Sequence, residues 1–219
     1  MGYWGYFVVG RAERPLAELD ALPGAADMTL RRSAPDGWQV WEFAGGDGDV
    51  GNMNDLAGQT GAPALFGYVM DSDCVVVEAA APESGAWTTC LARSAMAGYL
   101  GAEKEGLTLE DYFLEPRDAA ERAVAWAAEA GRTASAGELA EVLSADPGAD
   151  PDPGADPDPG AGPGAGRGSG PGADAGAASG PGAGSGPGAG SGAGSLIEAG
   201  PVAENLFFRF LDRLGVVPL

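Results

Sequence analysis

Apolar side chains recur along the first hundred residues in short runs of period two, and beyond them in stripes of period three to four. Tyr3–Gly10 is aromatic and β-branched, which predicts a buried strand that stops at a glycine. Pro15 opens Leu16-Ala17-Glu18-Leu19-Asp20-Ala21-Leu22, whose leucines at 16, 19 and 22 predict one face of a short helix ended by Pro23-Gly24. Met28–Arg32 and Trp38–Phe43 flank Ala34-Pro35-Asp36-Gly37, the composition of a hairpin turn. In the second arm Trp38, Val40 and Glu42 alternate with Gln39, Trp41 and Phe43, so both faces carry large side chains and helices are expected over one of them.

Asn52 or Asn54 is placed to cap a short helix that runs to about Thr60 and ends at Gly61-Ala62-Pro63. Ala64–Met70 and Cys74–Ala80 are apolar strands joined by Asp71-Ser72-Asp73. The first six elements, strand, helix, strand, strand, helix, strand, follow the split βαβ, ferredoxin-like order. They predict an α+β fold with a mainly antiparallel sheet and two helices on one face. Trp87–Leu91 adds a further strand and Ser94–Leu100 a helix. Thr108 with Asp111 begins a capped turn. Pro116 opens a helix to Ala130 with Ala119, Ala120, Ala123, Val124 and Ala127 on one stripe, and Ser135 with Glu138 forms a capping box ahead of Leu139, Val142 and Leu143.

Periodicity then stops. Residues 146–195 contain no Val, Ile, Leu, Met or aromatic residue, so the stretch buries too little apolar surface to offset its conformational entropy and is expected to be disordered. Glycine falls mostly at every second position, which excludes a collagen helix. A flexible chain of this length spans roughly 40 Å. After it, Pro201 opens an amphipathic helix with Leu206, Phe207, Phe210, Leu211 and Leu214 on one face, stopped by Gly215 and Pro218. That face is too apolar for water, and residues 196–219 are too few to fold alone, so the helix is expected to dock. The predicted layout is a sheet domain over 1–101, a helical segment over 102–145, a low-complexity tether over 146–195 and a terminal helix over 196–219. Because the helical segment has its own apolar stripe to cover, the tether reads as a long insertion within one helical subdomain.

Charge narrows the function. The chain carries a formal charge of −20, a field that repels phosphate and argues against nucleic acid and anionic membrane while suiting a basic protein partner. It has no His, which removes the commonest general base and zinc ligand. Cys74 and Cys90 fit neither a zinc knuckle nor a CxxC motif and are expected as buried free thiols. The acidic loop Asp47–Asp55 fails a calcium-loop pattern, with Asn52 at the position that requires glycine and Gly58 where a glutamate is required. Gly45-Gly46-Asp47-Gly48 lacks the ending of a phosphate loop. No metal, cofactor or nucleophile–base pair is implied, which points away from an enzyme.

The N-terminus lacks the basic residues of a signal peptide, and no apolar run approaches a membrane span, so a cytoplasmic location is expected. Lys104 is the only lysine, against 11 arginines, as translation from a GC-rich bacterial genome would give.

The candidate binding residues are Tyr3, Trp4 and Trp41, as aromatic anchors, and Asp71, Asp73 and Glu78, as carboxylates near a hairpin. They support a non-enzymatic, acidic protein-binding module, of which an immunity- or antitoxin-like inhibitor is one concrete form. Two alternatives differ in class. One is a metal-assisted hydrolase that uses the hairpin carboxylates, and the other a scaffold whose tethered terminal helix serves a separate protein.

Overall fold

A computed structural model describes residues 2–45, 48–101, 106–146 and 202–217. The low-complexity stretch from 147 onward, Asp47 of the acidic loop and the expected helix opener Pro201 lie outside these residues. The chain is α+β. Six strands, β1 (Gly5–Arg11), β2 (Met28–Ser33), β3 (Trp38–Ala44), β4 (Ala64–Met70), β5 (Cys74–Ala81) and β6 (Gly85–Leu91), form one antiparallel sheet in the order β2-β3-β1-β4-β5-β6. Around it lie helices α1 (Met53–Thr60), α2 (Arg93–Leu100), α3 (Pro116–Glu129), α4 (Ala136–Ser144) and α5 (Val202–Leu214). β1 sits in the middle, with Val8 opposite Trp41 of β3 on one side and Phe66 of β4 on the other.

The sheet has cover on both faces. Odd positions of β1, β4, β5 and β6 and even positions of β3 point to α3, α4 and α5. Phe7, Val9, Trp38, Val40, Leu65, Val69, Val75 and Val77 join one core there with Ala123, Trp126, Leu139, Leu143 and the apolar face of α5. Leu206, Phe207, Phe210, Leu211 and Leu214 are all buried. Phe207 lies directly over Gly67. A Cβ added there would come within 2.4 Å of the ring, so the missing side chain is the notch that seats it. Phe207 also stacks on Phe7 at 6.0 Å, and Phe210 meets the edge of Trp87 at 6.5 Å. Trp126 of α3 is fully buried, and its indole N–H donates to the carbonyls of Ala64 (3.2 Å) and Ala80 (3.0 Å), which ties α3 to the ends of β4 and β5.

The opposite face is covered in two separate places. Leu16, Leu19 and Leu22 pack there with Val8, Met53, Leu56, Ala57, Ala64 and Ala80. The helix expected over 16–22 is replaced by single 3-10 turns at Leu16–Glu18 and Ala25–Asp27. Leu19 is already extended (φ −92°, ψ 137°). Between Pro15 and Pro23 there is too little chain to repay helix nucleation, and the leucines reach the core without one. At the far corner α2 covers Cys74 and Cys90 with Met96. α2 has no cap of its own, since Ala92 precedes it in the left-handed region (φ 56°). Asp146, just past α4, supplies one by accepting from Ser94 N (2.7 Å) and Ser94 Oγ (2.6 Å).

Candidate binding face

Between these two covers the sheet floor is only half-buried, and the antiparallel register lines it with rings. Phe43, Tyr6, Tyr68 and Val76 are neighbours in one row across β3, β1, β4 and β5. Trp41, Val8, Phe66 and Glu78 form the next row. Tyr6 and Tyr68 stack at 4.3 Å, Phe66 and Phe43 stand edge-on to Tyr6 at 5.5 and 6.3 Å, and Trp4 continues the row beside Tyr68 at 6.2 Å. Tyr99, from the last turn of α2, meets Trp4 edge-on at 6.1 Å. Trp4 is 37% and Tyr99 40% exposed, large values for rings that a fuller core would have swallowed.

Carboxylates border the rings. Asp73 accepts from the Tyr99 hydroxyl at 3.2 Å; burial of the phenol first, and then that hydrogen bond, raise its pKa. Asp71 accepts from Gly2 N at 2.6 Å. Glu78 accepts from Met53 N, at the start of α1, at 3.3 Å. It also faces a depression of about 440 Å³ with Asp20, Asp49 and Asp55 on its walls. At the α2 end Arg93 is held by Glu110 at 2.6 Å.

The six residues singled out from sequence therefore separate. Trp4, Trp41 and Glu78 share this face, and Asp71 and Asp73 stand at its hairpin edge. Tyr3, one residue from Trp4, points through the sheet to the opposite side. There it stacks on Phe7 at 5.7 Å, and burial, followed by the neighbouring Glu42 carboxylate, pushes its phenol well above the ordinary range. Trp41 sits toward the β2 edge, its indole donating to Gln39 Oε1 at 2.8 Å. Sequence reasoning alone does not single out Tyr6, Phe43, Phe66, Tyr68 and Tyr99, which complete the face. Their signal is the spacing of two in Trp4-Tyr6 and Phe66-Tyr68, which puts each pair on one side of a strand.

The carboxylates do not converge. Asp71, Asp73 and Glu78 are each engaged by a different element. Among the described residues no group of three or more His, Cys, Asp or Glu is arranged to hold a metal ion. Cys74 and Cys90 are buried and unbridged, and burial drives their thiols up to about 12 and about 11, which leaves the nucleophilic thiolate unpopulated at neutral pH. No helix among the described residues is long and apolar enough to cross a membrane.

A depression of about 1180 Å³ lies elsewhere, between the end of β1, the β2–β3 turn and the end of α1. It is lined by Arg11, Glu13, Arg14 and Asp36 and contains no ring, so it offers volume without the aromatic anchors that concentrate binding energy. Compared with protein-family models, curated proteins and solved structures, the chain matches none.

Proposed function

We propose that the chain is a non-catalytic protein-binding module whose half-covered sheet face takes a basic segment of a cytoplasmic partner. One observation carries the reading: six rings, Trp4, Tyr6, Phe43, Phe66, Tyr68 and Tyr99, form one connected row on a half-buried face whose Trp4 and Tyr99 end is exposed, with Asp71, Asp73 and Glu78 at its border. Ring faces attract guanidinium and ammonium groups, and bordering carboxylates add direction and faster association. A toxin's basic site is one target of this chemistry, as in an immunity-like inhibitor. The apolar face of α5, being part of the core, is better read as structure than as a ligand for another protein.

The same reading takes β2-β3-β1-β4 as a split βαβ unit whose first helix has shrunk to two 3-10 turns, with β5 and β6 added at one side.

The test is titration of the full chain with a short oligo-arginine peptide, followed by calorimetry at low and high salt. We expect saturable binding that weakens with salt and falls tenfold or more in Trp4→Ala and Tyr68→Ala. Binding of equal strength in both variants would reduce the interaction to bulk charge and overturn the proposal.

A further inference from the structure

Three distant parts of the chain meet at the β4–β5 turn. Asp71 and Ser72 are both left-handed (φ 51° and 62°), a conformation unfavourable for residues other than glycine, and the turn closes with Asp73 N donating to the Met70 carbonyl at 3.0 Å. Each residue of the turn is held from a different direction. Asp71 takes the Gly2 N–H, and Asp73 takes the Tyr99 hydroxyl. Ser72 exchanges two bonds with Tyr3: its N–H donates to the Tyr3 carbonyl (3.0 Å), and its Oγ accepts from Tyr3 N (2.7 Å). The same hydroxyl donates its proton to Glu204 Oε1 of α5 at 3.0 Å, and the Ser72 carbonyl receives the Ala203 N–H at 3.4 Å. One serine thus links the backbone of residue 3 to the first turn of α5.

A second path runs beside it, from Phe207 and Phe208 of α5 through Phe7 to the ring of Tyr3. Both end on Tyr3, whose neighbour in the chain is Trp4. The helix on one side of the sheet therefore bears on the ring that closes the row on the other.

We propose that docking of α5 sets the position of Trp4 through Ser72, so that α5 docking and partner binding on the aromatic face strengthen one another. This rests on the binding reading above. The physical requirement is a state with α5 undocked in which the turn loses Glu204 and the Tyr3–Trp4 segment loosens. A ligand that favours the ordered Trp4 then favours docked α5 by the same factor. The carbonyl of Trp4 has an independent tie, accepting from Gly45 N at 3.2 Å, so the expected result is a shifted and broadened Trp4 rather than a lost one.

Two variants of the full chain decide the matter. Phe207→Ala weakens α5 from the far side without touching the turn, while Ser72→Ala cuts the link and leaves the Phe207 seat intact. The readouts are hydrogen exchange over 203–214, the Trp4 indole resonance and oligo-arginine affinity. We expect both variants to speed exchange in α5 and move the Trp4 signal, with affinity falling about tenfold, within the usual range of coupling between sites. Faster α5 exchange with Trp4 and affinity unchanged would overturn the coupling. Should Phe207→Ala not fold, Glu204→Ala, which removes only the α5 end of the link, carries the same comparison. If oligo-arginine fails to bind the unaltered chain, the binding reading falls, while the exchange and resonance readouts still decide whether α5 positions Trp4.

Discussion

The two faces of this sheet are built from the same alternation and end in opposite states. On the α3–α5 side, small and large residues interlock until little is left exposed: Trp126 of α3 packs on Trp38 of β3, and Gly67 admits Phe207. On the α1–α2 side the floor is lined by rings that stay half-buried, and Tyr99 of α2 reaches only the Trp4 end of the row. A protein built only for stability gains nothing by leaving Trp4 and Tyr99 more than a third exposed. The proposed function rests on that contrast.

Perturbations that treat the faces differently should break or sharpen this division. The largest effect is expected from Phe207→Ala. Emptying a fully buried ring site costs about 3 to 5 kcal/mol, enough to lower the denaturant midpoint by a large part of the domain's stability. Trp4→Ala on the other face should leave that midpoint nearly unchanged while removing peptide affinity. Equal destabilisation by the two would erase the distinction. Gly67→Ala comes next. With the Phe207 ring at 2.4 Å from the new methyl, overpacking should cost about 1 to 3 kcal/mol, seen as a lower melting temperature and faster exchange in α5. A smaller loss, about 1 kcal/mol, is expected from Asp146→Ala. It uncaps α2 and should raise amide exchange at Ser94 and the residues after it.

The smallest effect is a slope with pH. Glu204 is buried beside Ser72 with its second carboxylate oxygen unpartnered. Burial, which outweighs its hydrogen bonds, raises its pKa above the ordinary 4.5. A carboxyl raised in the folded state stabilises the fold most when protonated. Its contribution should be full below the ordinary value and fade as pH rises through the raised one. Glu204→Gln should flatten the melting temperature over that interval; an unchanged slope would place its origin in another group.

Much of the scaffold was legible because strand and helix periods are written directly in the apolar pattern. Tyr3–Gly10, Trp38–Phe43 and Ala64–Met70 fall within a residue or two of β1, β3 and β4, and the capping box at Ser135 marks the start of α4. The leucine triplet at 16, 19 and 22 misled because three apolar residues at helical spacing also suit a chain that bends twice across a sheet edge. The candidate face was harder to see. Alternation tells which residues share a side of a strand, and it places Trp4 with Tyr6 and separates both from Tyr3. It does not tell where covering helices stop, and that boundary leaves Tyr68 half-buried. The Gly67 notch was equally silent, since a glycine within a strand has no pattern until its partner ring is known.

Asp146 has one more consequence, for the length of chain the fold requires. By capping α2 at Ser94 it fixes where the chain leaves the described body, and Ala203, bound to Ser72, fixes where it returns. These points are joined by α2 itself, eight residues and about 12 Å long, together with the Tyr99–Asp73 contact at its far end, so the gap is on the order of 20 to 25 Å. A linker of about ten residues would bridge it. Residues 147–201 number several times that, so a drastically shortened chain is expected to keep the same melting temperature, which thermal unfolding of the deletion variant checks.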